Sequence, residues 1–119
     1  MKRDQQLAEK ALDFICGNMA PDELPDKLTR TQRAIMLVCL QDAFMLLRKN
    51  QQYGDSALSP MRTFSSADTA EQLRVRLDDK LSRIKTSGLH GGDDEEDTAA
   101  DFRGYLVLEE IAYRRRKKA

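Results

Sequence analysis

The sequence predicts an all-α fold, a single-domain bundle of about four helices. Two observations predict it: apolar residues recur at helical spacing between proline and glycine breaks, and no segment shows the alternation of a half-buried strand. The chain has 119 residues, of which 40% are hydrophobic and 34% are charged. This composition fits one ordinary globular domain and excludes a disordered or collagen-like chain. We divide residues 1–119 into an N-terminal helix (1–20), a core bundle (30–113) and a basic tail (114–119).

The first helix is predicted from Asp4, as its N-cap, to Met19. Pro21 and Pro25 follow and predict a short extended link, because proline removes a donor and restricts the residue before it. The apolar residues of this helix recur at helical spacing: Leu7, Ala8, Ala11, Leu12 and Ile15.

The second helix is predicted over residues 31–51, with Thr29 or Thr31 as its N-cap. Its body, residues 34–47, is apolar almost all round, which is typical of a central buried helix. Gly54 can supply the left-handed residue that ends it. Cys16 and Cys39 lie on apolar helix faces, so we expect both thiols to be reduced and packed in the core.

The third and fourth helices flank a glycine-rich acidic loop. The third is predicted from Ser66 or Asp68 to Thr86, with Gly88 as its stop and an apolar stripe along one face. The fourth is predicted over residues 95–115, with acidic residues at its start and basic residues at its end, as the helix dipole favours. The stripe of the third helix consists of Leu73, Leu77, Leu81 and Ile84.

The charges balance overall but are unevenly distributed. The chain has 20 basic and 20 acidic residues, and the runs DDEED (93–97) and RRRKK (114–118) cancel each other. Because the sum is zero and a basic helix end is usually a solvated terminus, we do not expect nucleic acid as a partner. The apolar run 34–40 is too short to span a membrane, and the charged N-terminus does not resemble a secretory signal. We therefore expect a cytoplasmic protein without a membrane partner.

Carboxylates on apolar helix faces are the main candidates for a site. Asp42 has only apolar neighbours one turn away, where an unpaired carboxylate costs several kcal/mol unless it is paired, protonated or bound to a metal. Asp97 and Asp101 lie on the core-facing side of the fourth helix, with Glu109 near the same sector. Such oxygens can hold Mg²⁺. The alternative is structural: Asp42 pairs with a base or faces solvent, and the others only cap and charge their helix.

The third helix places basic residues beside its apolar stripe. Arg74 and Lys80 lie on the two shoulders of that stripe. Long basic side chains in such places either extend their charged ends to solvent or hold phosphate groups.

Three segments together resemble a known group: KNQQYGDSALSP (49–60), RVRLDDKLSRI (74–84) and DEEDTAADFRGYLVLEEIA (94–112). They resemble small phage-borne helical proteins of nucleotide metabolism or nucleotide modification, which are similar to the MazG-like all-α nucleoside triphosphate pyrophosphatases. The resemblance covers about residues 40–113. It implies an oligomeric helical bundle in the host cytoplasm, in which helix carboxylates hold Mg²⁺ for hydrolysis between the α and β phosphates.

The family pattern is incomplete in this chain. The pyrophosphatases carry EExxE on one helix and ExxD on the next, whereas this chain has Asp78-Asp79 without the later glutamate, and Asp97 four residues before Asp101. A four-carboxylate metal cage is therefore not spelled out. The residues that match the family are Asp97 and Asp101 for the acidic pair, Lys80 and Arg83 for the basic positions, and Lys49, Tyr53 and Gly54 for the end of the central helix.

These observations lead to one function with alternatives. We expect a Mg²⁺-dependent nucleoside triphosphate pyrophosphohydrolase that acts on a nucleotide or dNTP. The alternatives are a phage protein that binds a nucleotide without hydrolysing it, one that binds a host protein and inhibits a host defence component, and a purely structural helical module. We also expect a homo-oligomer, because two broadly apolar helices carry more apolar surface than a bundle of four helices can cover. The expected ligands are Asp97, Asp101 and Asp42 for the metal, Lys49, Lys80, Arg83 and Arg74 for phosphate, and Tyr53 for base stacking.

Overall fold

A computed structural model describes residues 2–20, 23, 28–91 and 97–118 of the chain. Over these residues the protein contains four α-helices and no strand, which confirms the predicted all-α fold. No helix in this part of the chain is long and apolar enough to cross a membrane. Residue contacts divide the chain into two compact units, Met1–Gln52 and Tyr53–Ala119. The helices are α1 (Lys2–Asn18), α2 (Arg30–Tyr53), α3 (Thr69–Ser87) and α4 (Thr98–Lys118).

Polar caps begin two of the helices where the sequence predicts them. Thr29 Oγ1 accepts a hydrogen bond from the Gln32 amide at 3.1 Å, and Gln32 Oε1 accepts one from the Thr29 amide at 3.0 Å. This reciprocal pair is a capping box at the start of α2. At the start of α3, the Asp68 carboxylate accepts from the Glu71 amide at 2.8 Å. The predicted N-caps Thr29 and Asp68 are therefore confirmed.

Glycine ends α3, again as predicted. Gly88 has a φ of +84°, in the region that glycine adopts without strain, and its N–H donates to the Ile84 carbonyl. Gly54, with a φ of +64°, follows the last residue of α2 in the same way.

The limits of α1 and α4 differ from the prediction. α1 already begins at Lys2, so Asp4 lies inside the first turn and is not the N-cap. α4 continues to Lys118, so the RRRKK run is helical. Residues 21–22, 24–27 and 92–96 lie outside the described residues, and with them the predicted extended link at the two prolines and the predicted start of the last helix at residue 95.

In the first unit, α1 and α2 run antiparallel. Asp4 near the start of α1 pairs with Arg48 near the end of α2, and Asp13 near the end of α1 pairs with Arg33 near the start of α2. The face of α1 that is covered carries Asp4 together with the apolar residues Ala8 and Leu12, both fully buried.

The structure corrects the prediction that α2 is a central buried helix. None of its residues is buried, and Ile35, Val38 and Leu47 are exposed. Among the described residues of its unit, α1 is the one helix beside α2, and it can cover only one face of a helix that is apolar almost all round. The prediction that the cysteines pack in the core is also wrong, because Cys16 on α1 and Cys39 on α2 are both exposed, whereas both thiols are free, as predicted.

In the second unit, α3 and α4 form an antiparallel pair preceded by the loop 54–68. Arg74 lies opposite Glu109 and Lys80 lies opposite Asp101. Of the predicted stripe, Leu73 is fully buried but Leu81 is exposed. Small residues line most of the remaining contact, so the two helices approach closely: Ala70, Ala100, Gly104 and Ala112 are all buried.

Candidate functional site

The antiparallel pairing of α3 and α4 brings the first turn of α3 next to the last turns of α4. Arg116 Nη1 lies 3.9 Å from Asp68 Oδ2, the carboxylate that caps α3. Residues from the loop 54–68 complete this end of the second unit. Side chains from three separate parts of the sequence therefore meet here.

A cavity of about 410 Å³ opens at this end of the unit. We call it the arginine cavity, because Arg62, Arg115 and Arg116 all line it. Two buried alanines of the helix contact, Ala70 and Ala112, line the cavity and leave space that larger side chains would occupy. The other lining residues are Leu58, Asp68, Thr69, Ala70 and Ala112.

Neutral oxygens hold the guanidinium of Arg62 in place. Its Nη1 donates to the Ala67 carbonyl and its Nη2 donates to Thr69 Oγ1 at 3.1 Å. The Ala67 carbonyl also accepts from Gln72 Nε2 at 2.8 Å, and Thr69 Oγ1 contacts the Leu58 carbonyl at 3.4 Å. Because neither partner of Arg62 here carries a charge, its orientation is fixed while its positive charge is not compensated by them.

The sign of the potential in the cavity follows from the charges that line it. Asp68 is the one carboxylate among the described lining residues, and the Glu71 amide already uses one of its oxygens. Its contact with Arg116 is long and both side chains are largely exposed, so that pair compensates little charge. The positive end of α3 and the negative end of α4 oppose each other here. The three arginines therefore set the sign, and the cavity favours an anion.

The predicted phosphate ligands of α3 have carboxylates beside them. Lys80 Nζ lies 3.4 Å from Asp101, Arg74 lies 3.4 Å from Glu109, and Arg83 lies 3.7 Å from Asp79. These contacts compensate part of the charge of each base, and most of it at Lys80, because that pair is nearly buried whereas the two arginine pairs are more exposed. None of these three bases lines the arginine cavity.

Two of the predicted metal ligands, Asp97 and Asp101, lie one helical turn apart at the start of α4, and each already has a partner there. Asp97 is the N-cap of α4, where it accepts from the Ala100 amide at 2.9 Å, and Asp101 pairs with Lys80. Asp42 lies on α2 in the first unit, half-buried and already engaged in an interaction. Within residues 2–20, 28–91 and 97–118, no three His, Cys, Asp or Glu side chains group closely enough to hold a metal ion.

The two remaining predicted ligands lie at the end of α2. Lys49 is half-buried and engaged in an interaction, and Tyr53, the last residue of the helix, is exposed. Tyr53 falls at the boundary between the two units.

Sequence reasoning missed the arginines that line the cavity. Arg115 and Arg116 belong to the run interpreted as a solvated terminus, and Arg62 lies in a loop with no recognisable motif. The signal available was the Asp68 cap, which predicts where α3 begins. It does not predict that the end of α4 returns to that place.

No known protein family, curated protein or solved structure matches this chain. The resemblance to the MazG-like pyrophosphatases stays a prediction, so function has to be inferred from the chain's own geometry.

Proposed function

We propose that this protein binds a nucleotide through its phosphate groups in the arginine cavity and does not hydrolyse it. The observation that carries the proposal is that Arg62, Arg115 and Arg116 line one cavity in which Asp68 is the single carboxylate among the described residues. Each guanidinium presents a planar fork of N–H donors that matches phosphate oxygens.

The size and lining of the cavity suit a nucleotide better than a bare anion. Its volume of about 410 Å³ lies within the range of small-molecule pockets, roughly 300–1,000 Å³. Leu58, Ala70 and Ala112 supply apolar surface beside the arginines. A phosphate can contact the guanidinium groups while a ribose or base lies against this apolar wall.

The positions of the carboxylates favour binding without hydrolysis over the predicted pyrophosphohydrolase activity. Mg²⁺-dependent hydrolysis needs several oxygen ligands that converge on the metal beside the phosphates. Asp97 caps its helix and Asp101 lies against Lys80, and neither lines the arginine cavity. The choice of a nucleotide as the ligand rests on the sequence resemblance. The arginine cavity supports this choice independently, because it favours an anion and has an apolar wall.

The test is calorimetric titration with ATP and the four dNTPs, with Mg²⁺ or with EDTA, alongside an assay for pyrophosphate release. We expect binding that EDTA does not abolish and no release of pyrophosphate. Arg62→Gln and Arg116→Gln should each raise the Kd about tenfold, the loss expected for one charge-assisted contact of about 1.4 kcal/mol. Lys85→Gln is the matched control, because it removes one exposed charge from the last turn of α3, at the other end of the helix.

Two results would refute the proposal. One is a Kd for nucleotide that both arginine variants leave unchanged. The other is pyrophosphate release by the wild-type protein that EDTA stops, since this would restore the metal-dependent enzyme, and release that Arg62→Gln retains would place that enzyme outside the arginine cavity.

A further inference from the structure

The end of α4 carries more positive charge than one phosphate group requires. Beyond the two arginines that line the cavity, Lys117 and Lys118 extend the same helix end, and all four side chains are exposed. Arg114 precedes them but is held by Glu110 at 2.9 Å. At 100° per residue, consecutive basic residues are distributed around the whole circumference of the helix. Several phosphates spaced along a chain would match this distribution better than one.

Two large apolar side chains lie on either side of Arg62 in the sequence. Phe64 is fully exposed and Met61 is 86% exposed. Single exposed apolar residues are common on protein surfaces and need no explanation. Here, however, both flank an arginine that lines a cavity and is held by two hydrogen bonds. Phe64 follows Arg62 by two residues, and its fully exposed ring offers a face on which a planar base can stack.

We propose that this end of the second unit binds single-stranded nucleic acid. One backbone phosphate occupies the arginine cavity, neighbouring phosphates contact the basic end of α4, and a base stacks on Phe64. The inference rests on the proposed function, because it places the phosphate in the same cavity, and it extends the ligand from a mononucleotide to a strand. The chain's zero net charge does not oppose this, because Arg62 and the basic residues 115–118 all lie at this end of the second unit and create a local excess of positive charge.

A single strand fits these features better than a bilayer does. A helix that lies on a membrane keeps its basic residues on one face and apolar residues on the other, whereas the basic residues of α4 surround its last turns. The cavity is concave and binds a discrete group, whereas a bilayer offers a flat surface. A duplex fits less well than a single strand, because its bases are stacked on each other and are not available to Phe64.

The experiment is fluorescence anisotropy of the full chain with a labelled dT20 oligonucleotide, a hairpin duplex of the same length, and ATP as competitor. We expect dT20 to bind more tightly than ATP and the duplex, with a slope of log K against log salt of about −3 to −4 if five basic residues each contact a phosphate. Phe64→Leu, which keeps an apolar side chain, should weaken dT20 binding about fivefold to a hundredfold. Phe64→Tyr should retain it, and Lys85→Gln should leave it within twofold.

The outcomes separate this inference from the proposed function. If ATP binds but dT20 binds no more tightly, or if Phe64→Leu has no effect, the strand inference is overturned and the nucleotide proposal stands. If dT20 binds with the expected dependence on Phe64 and Arg62 while ATP does not, the mononucleotide proposal falls and the strand inference is supported. Sedimentation with phosphatidylserine vesicles that depends on Phe64, without binding of dT20, would overturn the inference in favour of a membrane surface. If neither nucleotide nor dT20 binds to folded protein, both are wrong.

Discussion

Lys80 Nζ lies 3.4 Å from Asp101 Oδ2, and the pair joins α3 to α4 with side chains only 11% and 14% exposed. The sequence assigns these residues to different ligands, Lys80 to a phosphate and Asp101 to a metal. In the fold they are opposite charges that compensate each other across a helix contact. The pairing explains why both charges lie near apolar residues, because an opposite charge nearby offsets part of the desolvation penalty of burying each one.

Removing one member of this pair should destabilise the fold more than replacing both. Asp101→Leu should lower the free energy of unfolding by about 2–4 kcal/mol. The reason is that Lys80 then loses the carboxylate that compensates its charge in a nearly buried place. The double variant Lys80→Met with Asp101→Leu should recover at least half of that loss. Urea denaturation monitored by circular dichroism measures both, and the cycle isolates the coupling energy. A variant Asp101→Asn with wild-type stability but altered nucleotide turnover would instead support the metal-ligand hypothesis.

The first unit contains two ion pairs between the same helices that should differ in strength. Asp4 is almost fully buried and lies 3.1 Å from Arg48, whereas Asp13 and Arg33 are largely exposed and lie 3.7 Å apart. Asp4 also lies in the first turn of α1, where the helix dipole stabilises a negative charge.

We therefore expect Asp4→Ala to cost about 2–3 kcal/mol of unfolding free energy and Asp13→Ala to cost less than about 0.5 kcal/mol. Both variants replace an aspartate of α1 by alanine and so remove the same type of side chain from the same helix. Each therefore controls for the other in thermal or urea denaturation. Equal losses would show that burial of the pair is not what matters.

Asp68 has two opposing effects, because it caps α3 and is also the described carboxylate of the arginine cavity. Asp68→Asn keeps a capping oxygen and removes the negative charge. Its stability should change by less than about 0.5 kcal/mol, while its affinity for ATP should rise about threefold to tenfold. Asp68→Ala should raise the affinity similarly but cost about 1 kcal/mol of stability through the lost cap. Calorimetric titration and urea denaturation of both variants test this, and weaker binding by Asp68→Asn would contradict an anion site.

The parts of the fold that the sequence predicted depend on local chemistry. The capping roles of Thr29 and Asp68 and the stop at Gly88 follow from side chains within one turn of the helix end. The arginine cavity depends instead on Arg62 and Arg116, which are far apart in the sequence and meet only because α3 and α4 are antiparallel. No local pattern encodes that proximity, because the antiparallel packing of α3 against α4 creates it.

The exposed face of α2 makes the last prediction, which concerns self-association. Ile35, Val38 and Cys39 share one face at helical spacing and all are exposed. A contiguous apolar face of this kind is typical of a surface that another protein covers, and a second copy of the chain is the partner that is always present. We expect light scattering at micromolar concentration to give a dimer or larger assembly. Val38→Glu should shift it to the monomer, because it places a charge in the centre of that face, whereas Gln52→Glu, at an exposed polar position, should not. A monomeric wild-type protein would contradict the prediction, and so would an assembly that Val38→Glu leaves unchanged.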